Sequence, residues 1–249
     1  MYKYSILAAA YSNVSTLDIL RTITLTAFAG FTSFLGIYLS KRINFSERHI
    51  LTLTSFGAGI LISVAIFGMV VEAEKIVGLT ITVFAFVIGA ILFTVLDRIV
   101  EKKGGGAGIL LGIGLDSIPE SLAIGAAVGF SGPFAAISLL IGIQNIPEGI
   151  ASYREMKEGK SILKNTRNAF IATGIISAIP VVMGLIGLFF MRGMEQIIGM
   201  ILALLAGGIF YMLYYDMIPK AHKEKEWLTT FGAVLGFIIG FVVVLTIGS

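Results

Sequence analysis

Two segments of the chain repeat the same pattern of polar residues around an Ile-Pro-Glu core. The first pairs Asp116 with Glu120, and the second, further along the chain, pairs Gln144 with Glu148. Side chains four residues apart share one face of a helix, so each pair points in one direction. The proline inside each segment leaves one backbone carbonyl without its helical partner. Carboxylate, amide and carbonyl oxygens arranged in this way are suited to binding a divalent cation.

The composition of the chain indicates that these segments lie in a membrane. Of its 249 residues, 57% are hydrophobic and 13% are charged, and its mean hydropathy is +0.96. A soluble protein of this length would need more polar residues to cover its surface. The absence of cysteine excludes disulfides and thiolate metal sites. The net charge of +3 comes from basic residues beside apolar segments and does not indicate a nucleic-acid partner.

Eight apolar segments are long enough to serve as membrane-spanning helices, which need roughly 20 residues each. They cover about 17–40, 49–71, 76–98, 105–129, 132–153, 165–191, 194–217 and 227–247. Short connections leave no room for a separate soluble domain. We therefore expect an all-α, multi-pass protein of the plasma or inner membrane, with one integral-membrane domain over residues 1–249.

The basic residues predict how these helices are oriented. Fourteen of the 18 Lys and Arg residues fall in four connections that alternate along the chain. Cytoplasmic loops carry an excess of Lys and Arg, so these four connections are expected in the cytoplasm and both termini outside it. The remaining four basic residues, which are Lys3, Arg21, Lys75 and Arg192, are expected on the opposite side.

This topology brings both segments to the bilayer middle from opposite sides, as in an inverted repeat. Asp116, Glu120 and Glu148 would then place up to three negative charges near one point, with no Lys or Arg expected at that depth. A lone charge at the bilayer centre costs at least about 2.5–3.5 kcal/mol. The carboxylates must therefore be protonated and hydrogen-bonded between helices, or bind a cation. Two matched segments favour the cation.

The two Pro-Glu segments resemble those in the fourth and fifth spans of the ZIP (Zrt/Irt-like) family of divalent metal transporters. Residues 56–61, 96–98 and 215–219 are also similar to family sequences. The resemblance implies eight helices in an inverted-repeat 3+2+3 bundle, with both termini extracytoplasmic. It also implies a transport site between the fourth and fifth spans that opens alternately to each side.

Carried over residue by residue, the resemblance implies a primary metal site with four ligands. These are Asp116, Glu120, Gln144 and Glu148. Asp116 stands where the family usually has histidine, which makes the ligand set richer in oxygen. Such a set suits manganese or iron(II) better than a nitrogen-rich site does, while zinc also binds carboxylates. Cobalt and cadmium are further candidate substrates.

Other residues are candidates for a second metal or for the metal pathway. Ser117 and Asn145 match positions that contribute to a second, adjacent metal in binuclear family members. Ser177 stands where many members carry a glutamate, and the loss of that carboxylate predicts a mononuclear site. Asp216 could line the exit path or cap a helix. His222 could be an exit ligand, although an interfacial histidine among lysines is the favoured interpretation.

The leading hypothesis is a secondary transporter that moves a divalent metal cation toward the cytoplasm, and not an enzyme. No nucleotide-binding motif is present, so ATP is not the expected energy source. The alternative is an intramembrane metal-dependent hydrolase or lipid phosphatase, but no arginine lies near the segments to hold a phosphate. A proton-coupled carrier of an organic solute is a weaker third hypothesis. The expected partners are the metal ion and the lipid bilayer, and homodimer formation is left open.

Overall fold

The computed structural model describes residues 14–103, 117–118, 120–126, 128, 134–158, 166–221 and 227–247. All regular structure in these residues is helical. The α-helices are α1 (Thr16–Arg42), α2 (Glu47–Ser63), α3 (Val71–Lys103), α4 (120–126), α5 (Phe134–Glu158), α6 (Thr166–Ile176), α7 (Ile179–Phe190), α8 (Glu195–Met212), α9 (Ile218–Ala221) and α10 (Trp227–Ile247). Wider π-helical turns at Val64–Val70 and Leu213–Met217 join α2 to α3 and α8 to α9.

Within the described residues, six helical stretches are long and apolar enough to cross a membrane. They are Thr16–Arg42, Glu47–Val100, Phe134–Arg154, Phe170–Phe190, Glu195–Met217 and Trp227–Ile247. These stretches indicate a multi-pass helical membrane protein and confirm the predicted all-α class. Large apolar side chains such as Phe84 and Phe231 are exposed on their outer faces, as expected where helices contact lipid.

The stretch Glu47–Val100 is too long for a single crossing. Its 54 residues would extend about 81 Å as one helix, against a hydrocarbon core of about 30 Å. The chain leaves helical geometry at Gly78, where φ is 77° and ψ is 161°. This left-handed φ favours glycine. The break lies near the predicted boundary between the spans 49–71 and 76–98. The predicted span 105–129 is described only from residue 117 onward, so the count of eight spans stays a prediction.

The bundle is built from pairs of helices that pack along much of their length. Helix α1 packs most extensively on α5, α3 on α8, and α2 on α10, while α2 also contacts α5 and α1 also contacts α7. Local sequence sets where the first helices begin. Ser15 caps α1 through a reciprocal pair of hydrogen bonds with Asp18, and Ser46 caps α2.

Polar contacts at one end of the bundle join helices that are distant in sequence. The Arg192 Nη1 atom, after α7, donates to Asp18 Oδ2 on the first turn of α1 over 2.7 Å. Helix α8 begins at Glu195, shortly after Arg192, and its first turns lie beside the start of α3, where Ile76 and Val77 face Gly199. Arg192 and Arg21 therefore share an end, as the charge pattern predicted. Which end faces the cytoplasm stays a prediction.

The opposite end carries basic side chains from α1 and α5, and we call it the basic end. It is defined by Lys41, Arg42, Arg154 and Lys157. There, Ser40 Oγ donates to the carbonyl of Ile150 over 3.2 Å and so ties the end of α1 to α5. The helix ends are thereby fixed relative to one another on both sides of the bundle.

Candidate metal centre

A small cavity lies between five helical segments of the bundle. Its volume is about 20 Å³, which is room for one water molecule or one dehydrated ion. The residues that line it are Ser33, Leu61, Ser117, Glu120, Gln144, Asn145, Glu148, Ile209 and Met212. Five of these residues belong to the two Ile-Pro-Glu segments. The structure therefore brings both segments to the same point, although they belong to separate helices.

The residues that α5 contributes to the cavity lie far from both ends of that helix. Glu148 is an interior residue of the 25-residue helix α5, which begins at Phe134 and ends at Glu158. At a rise of about 1.5 Å per residue, Glu148 lies roughly 21 Å from the first end and roughly 15 Å from the second. Helix α5 remains helical through Pro147, without an unwound segment. Glu148 is therefore deep within a helix long enough to span a bilayer.

Two glycines allow α1 and α5 to approach closely beside the cavity. A Cβ atom at Gly149 would collide with the carbonyl oxygen of Ser33, and one at Gly36 would collide with the carbonyl oxygen of Ile146. Small residues permit such backbone contact between membrane helices. Gly149 directly follows Glu148, so the close approach fixes the position of this carboxylate against α1.

Hydrogen bonds orient both amide side chains of the second segment. Gln144 is buried, and its Nε2 atom donates to Glu148 Oε2 over 3.1 Å. Asn145 Nδ2 donates to the carbonyl of Ala29 on α1 over 3.0 Å. With their amide nitrogens engaged, both residues retain an amide oxygen, which is the atom type that a hard cation prefers.

Three of the four predicted primary ligands meet at this cavity, namely Glu120, Gln144 and Glu148. Asp116 lies outside the described residues. The two carboxylates face no Lys, Arg or His among the described residues that line the cavity. The described residues hold no cluster of three or more His, Cys, Asp or Glu side chains. The described donors are thus two carboxylates with amide and hydroxyl oxygens.

The residues predicted for a second metal or for the metal pathway lie in different parts of the structure. Ser117 and Asn145 line the cavity beside the primary set. Ser177 lies in the turn between α6 and α7, where its Oγ is buried and has no hydrogen-bond partner among the described residues. Asp216 is exposed in the π-helical turn that follows α8, and His222 lies outside the described residues.

The remaining wall of the cavity comes from residues that the motifs did not single out. Ser33 on α1, Leu61 on α2, and Ile209 and Met212 on α8 complete the lining. These side chains add one hydroxyl and three apolar groups to the wall, while Glu120 and Glu148 are half-buried. Glycines near Ser33, Leu61 and Ile209 in the sequence are typical of close helix packing, but they do not specify which helices meet.

No protein-family model matches the chain. The chain is similar to a curated protein, the zinc transporter GufA of Myxococcus xanthus. The two are 28% identical over 144 residues, which is 56% of this chain and 55% of GufA. The match thus spans about half the length of each protein.

Proposed function

We propose that this protein is a secondary transporter that carries a divalent metal cation across the membrane through the cavity. The observation that supports it most is the meeting of Glu120 and Glu148, from two matched segments, in one cavity within a bundle of long apolar helices. The similarity to a protein named as a zinc transporter supports zinc as the first candidate substrate. Manganese, iron(II), cobalt and cadmium are the other substrates to test.

Charge balance explains why this cavity would favour a divalent cation. Ionised carboxylates are costly inside a membrane protein, and the cavity brings the carboxylates of Glu120 and Glu148 together. A divalent ion offsets two carboxylate charges and accepts four to six oxygen ligands. Glu120, Glu148 and the oxygen of Gln144 supply part of that set, and we propose Asp116 as a further ligand.

Transport also requires that the ion leave the cavity. The cavity lies between residues of α1, α2, α4, α5 and α8, and we propose that these helices move relative to one another to release the ion. We propose that the ion enters from the extracytoplasmic side and leaves toward the cytoplasm. The resemblance to the ZIP family supports this direction, and Ser177, which stands where many members carry a glutamate, supports a mononuclear site. No observation in the structure favours the alternative of a hydrolase, and the named relative is a transporter.

Uptake by reconstituted protein tests this proposal. Proteoliposomes that contain a zinc-sensitive dye should show protein-dependent zinc entry, and Glu120→Gln and Glu148→Gln should each reduce it to the rate of empty liposomes. Glu195→Gln is the matched control, because Glu195 is an exposed carboxylate at the start of α8. It should retain the wild-type rate. Zinc, manganese, iron(II), cobalt and cadmium are compared in parallel. No uptake of any metal by wild-type protein would overturn the proposal.

A further inference from the structure

A second cavity lies at the basic end of the bundle, away from the metal centre. It has a volume of about 260 Å³, close to the lower limit of about 300 Å³ for typical small-molecule sites. The turn between α1 and α2 forms one side and the last turns of α5 form the other. The residues that line it are Ser40, Ile43, Asn44, Phe45, Ile50, Tyr153, Arg154 and Lys157.

The charge of this cavity is positive. Arg154 and Lys157 are three residues apart on α5, a spacing that places both side chains on one face. Among the described residues that line the cavity, none is acidic. The Lys157 Nζ atom lies 5.5 Å from the centre of the Tyr153 ring, a cation–π contact that holds the ammonium group against the wall of the cavity. The cavity therefore favours an anion.

The type of cation indicates which anion fits. A guanidinium group presents a planar fork of N–H donors that matches two oxygens of a phosphate group, and an ammonium group adds a compact point charge. On the other side of the cavity, Asn44 adds a neutral amide, and Ile43, Phe45 and Ile50 add apolar side chains. A phosphate ester that carries an apolar portion would contact both kinds of wall.

The location of the cavity also points to a phosphate ester. It lies at the ends of two stretches that are long enough to cross a bilayer, Thr16–Arg42 and Phe134–Arg154. Ends of such helices meet the layer of lipid head groups, and basic pockets between them bind anionic head groups. Ile43 is 47% exposed, so an apolar side chain stands at the mouth of the cavity, next to where lipid chains would begin.

We propose that this cavity binds a phosphate group, supplied either by an anionic phospholipid or by a soluble phosphate ester. A simpler role for Arg154 and Lys157 would be to balance the partial negative charge at the end of α5. That role requires neither a cavity nor apolar side chains opposite the charges. The proposed site is independent of the metal centre, because none of its lining residues lines the metal cavity.

Binding to the purified full-length protein in detergent tests the proposal by native mass spectrometry. The probes are phosphatidylglycerol, phosphatidylcholine, glycerol 3-phosphate and inorganic phosphate. The test variant is Arg154→Gln/Lys157→Gln. The control is Arg21→Gln/Lys75→Gln, which removes two basic groups near the other end of the bundle, both exposed. A third variant, Arg154→Lys/Lys157→Arg, keeps both positive charges. It tests whether weaker probe binding by the test variant results from the loss of charge.

We expect the test variant to bind the phosphate probe roughly 10- to 30-fold more weakly, because each basic group near a lipid surface contributes about a fivefold factor. The control and the charge-keeping variant should stay within about threefold of wild type. Preferential binding of phosphatidylglycerol identifies a lipid site, and preferential binding of glycerol 3-phosphate or inorganic phosphate identifies a soluble ligand. An equal loss in the control, or unchanged binding in the test variant, would overturn the proposal.

Discussion

The two Ile-Pro-Glu segments are nearly identical in sequence pattern but differ in how the fold supports them. In the second segment, Gln144 bonds to Glu148, Asn145 bonds to α1, and Gly149 touches the α1 backbone. The first segment contributes Ser117 and Glu120 to the same cavity and has a buried serine, Ser121, where the second has glycine. Beside the first segment, the glycine lies on the facing helix instead, because a Cβ atom at Gly187 on α7 would collide with the carbonyl oxygen of Leu122. The two segments thus bring ligands to one cavity, but only the second carries at its last residue the glycine that permits a close helix contact.

The largest expected effect is the loss of zinc affinity when either Glu120 or Glu148, which we propose as equivalent ligands, is replaced. Glu120→Gln and Glu148→Gln should each weaken zinc binding by more than about 100-fold, beyond the 10- to 100-fold typical of groups that only orient ligands. Isothermal titration of purified protein measures both affinities. Losses that agree within about threefold support equivalence. A loss confined to Glu148 would show that the first segment does not bind the ion.

The next effect concerns the hydrogen bond inside the second segment. Gln144→Ala removes both a proposed ligand oxygen and the donor that orients Glu148, so zinc affinity should fall about 10- to 100-fold. Gln144→Glu is the informative companion. It restores a ligand oxygen and adds a further carboxylate beside Glu120 and Glu148, so its zinc affinity should be higher than that of Gln144→Ala. Wild-type affinity in Gln144→Ala would contradict the assignment of Gln144 to the site.

A smaller effect is expected on stability rather than on metal binding. Gly149→Ala introduces a Cβ against the carbonyl of Ser33, which should lower the free energy of unfolding by about 1–3 kcal/mol. Ser121→Ala, at the corresponding position of the first segment, adds no atom and should cost less than about 1 kcal/mol. Thermal unfolding in detergent measures both variants. Equal destabilisation would show that the segments are supported in the same way.

The smallest effects concern the two residues proposed for a second metal. If the site is mononuclear, Asn145→Ala loses one hydrogen bond to Ala29 and costs about 1 kcal/mol of stability. Zinc affinity should then fall by less than tenfold in Asn145→Ala, and by a similarly small factor in Ser117→Ala. Titration should also give one zinc per chain. Two zinc ions per chain, with one lost in both variants, would establish a binuclear site and overturn the mononuclear prediction.

Much of the candidate site could be predicted from the sequence because its ligands come from local motifs. The i to i+4 spacing of Gln144 and Glu148 fixes their common face in any helix, and the structure has them in contact. The internal repeat then indicated which two segments meet. Residues of the wall such as Ile209 and Met212 could not be predicted. Their contacts depend on which helices pack together, and the spacing of apolar residues along one helix does not specify its neighbours.

Sequence alone determined that this is a helical membrane protein with paired Pro-Glu segments. In lipid, backbone polar groups must be satisfied within each segment, so long apolar runs must be helices. Only the tertiary structure decided that Arg192 pairs with Asp18 and that Gly149 allows α5 to contact the backbone of α1. It also decided that a basic cavity forms between α1 and α5. These features depend on packing between residues far apart in the chain. Apolar helices have many similar faces, so the sequence of one helix does not specify which other helix it packs against.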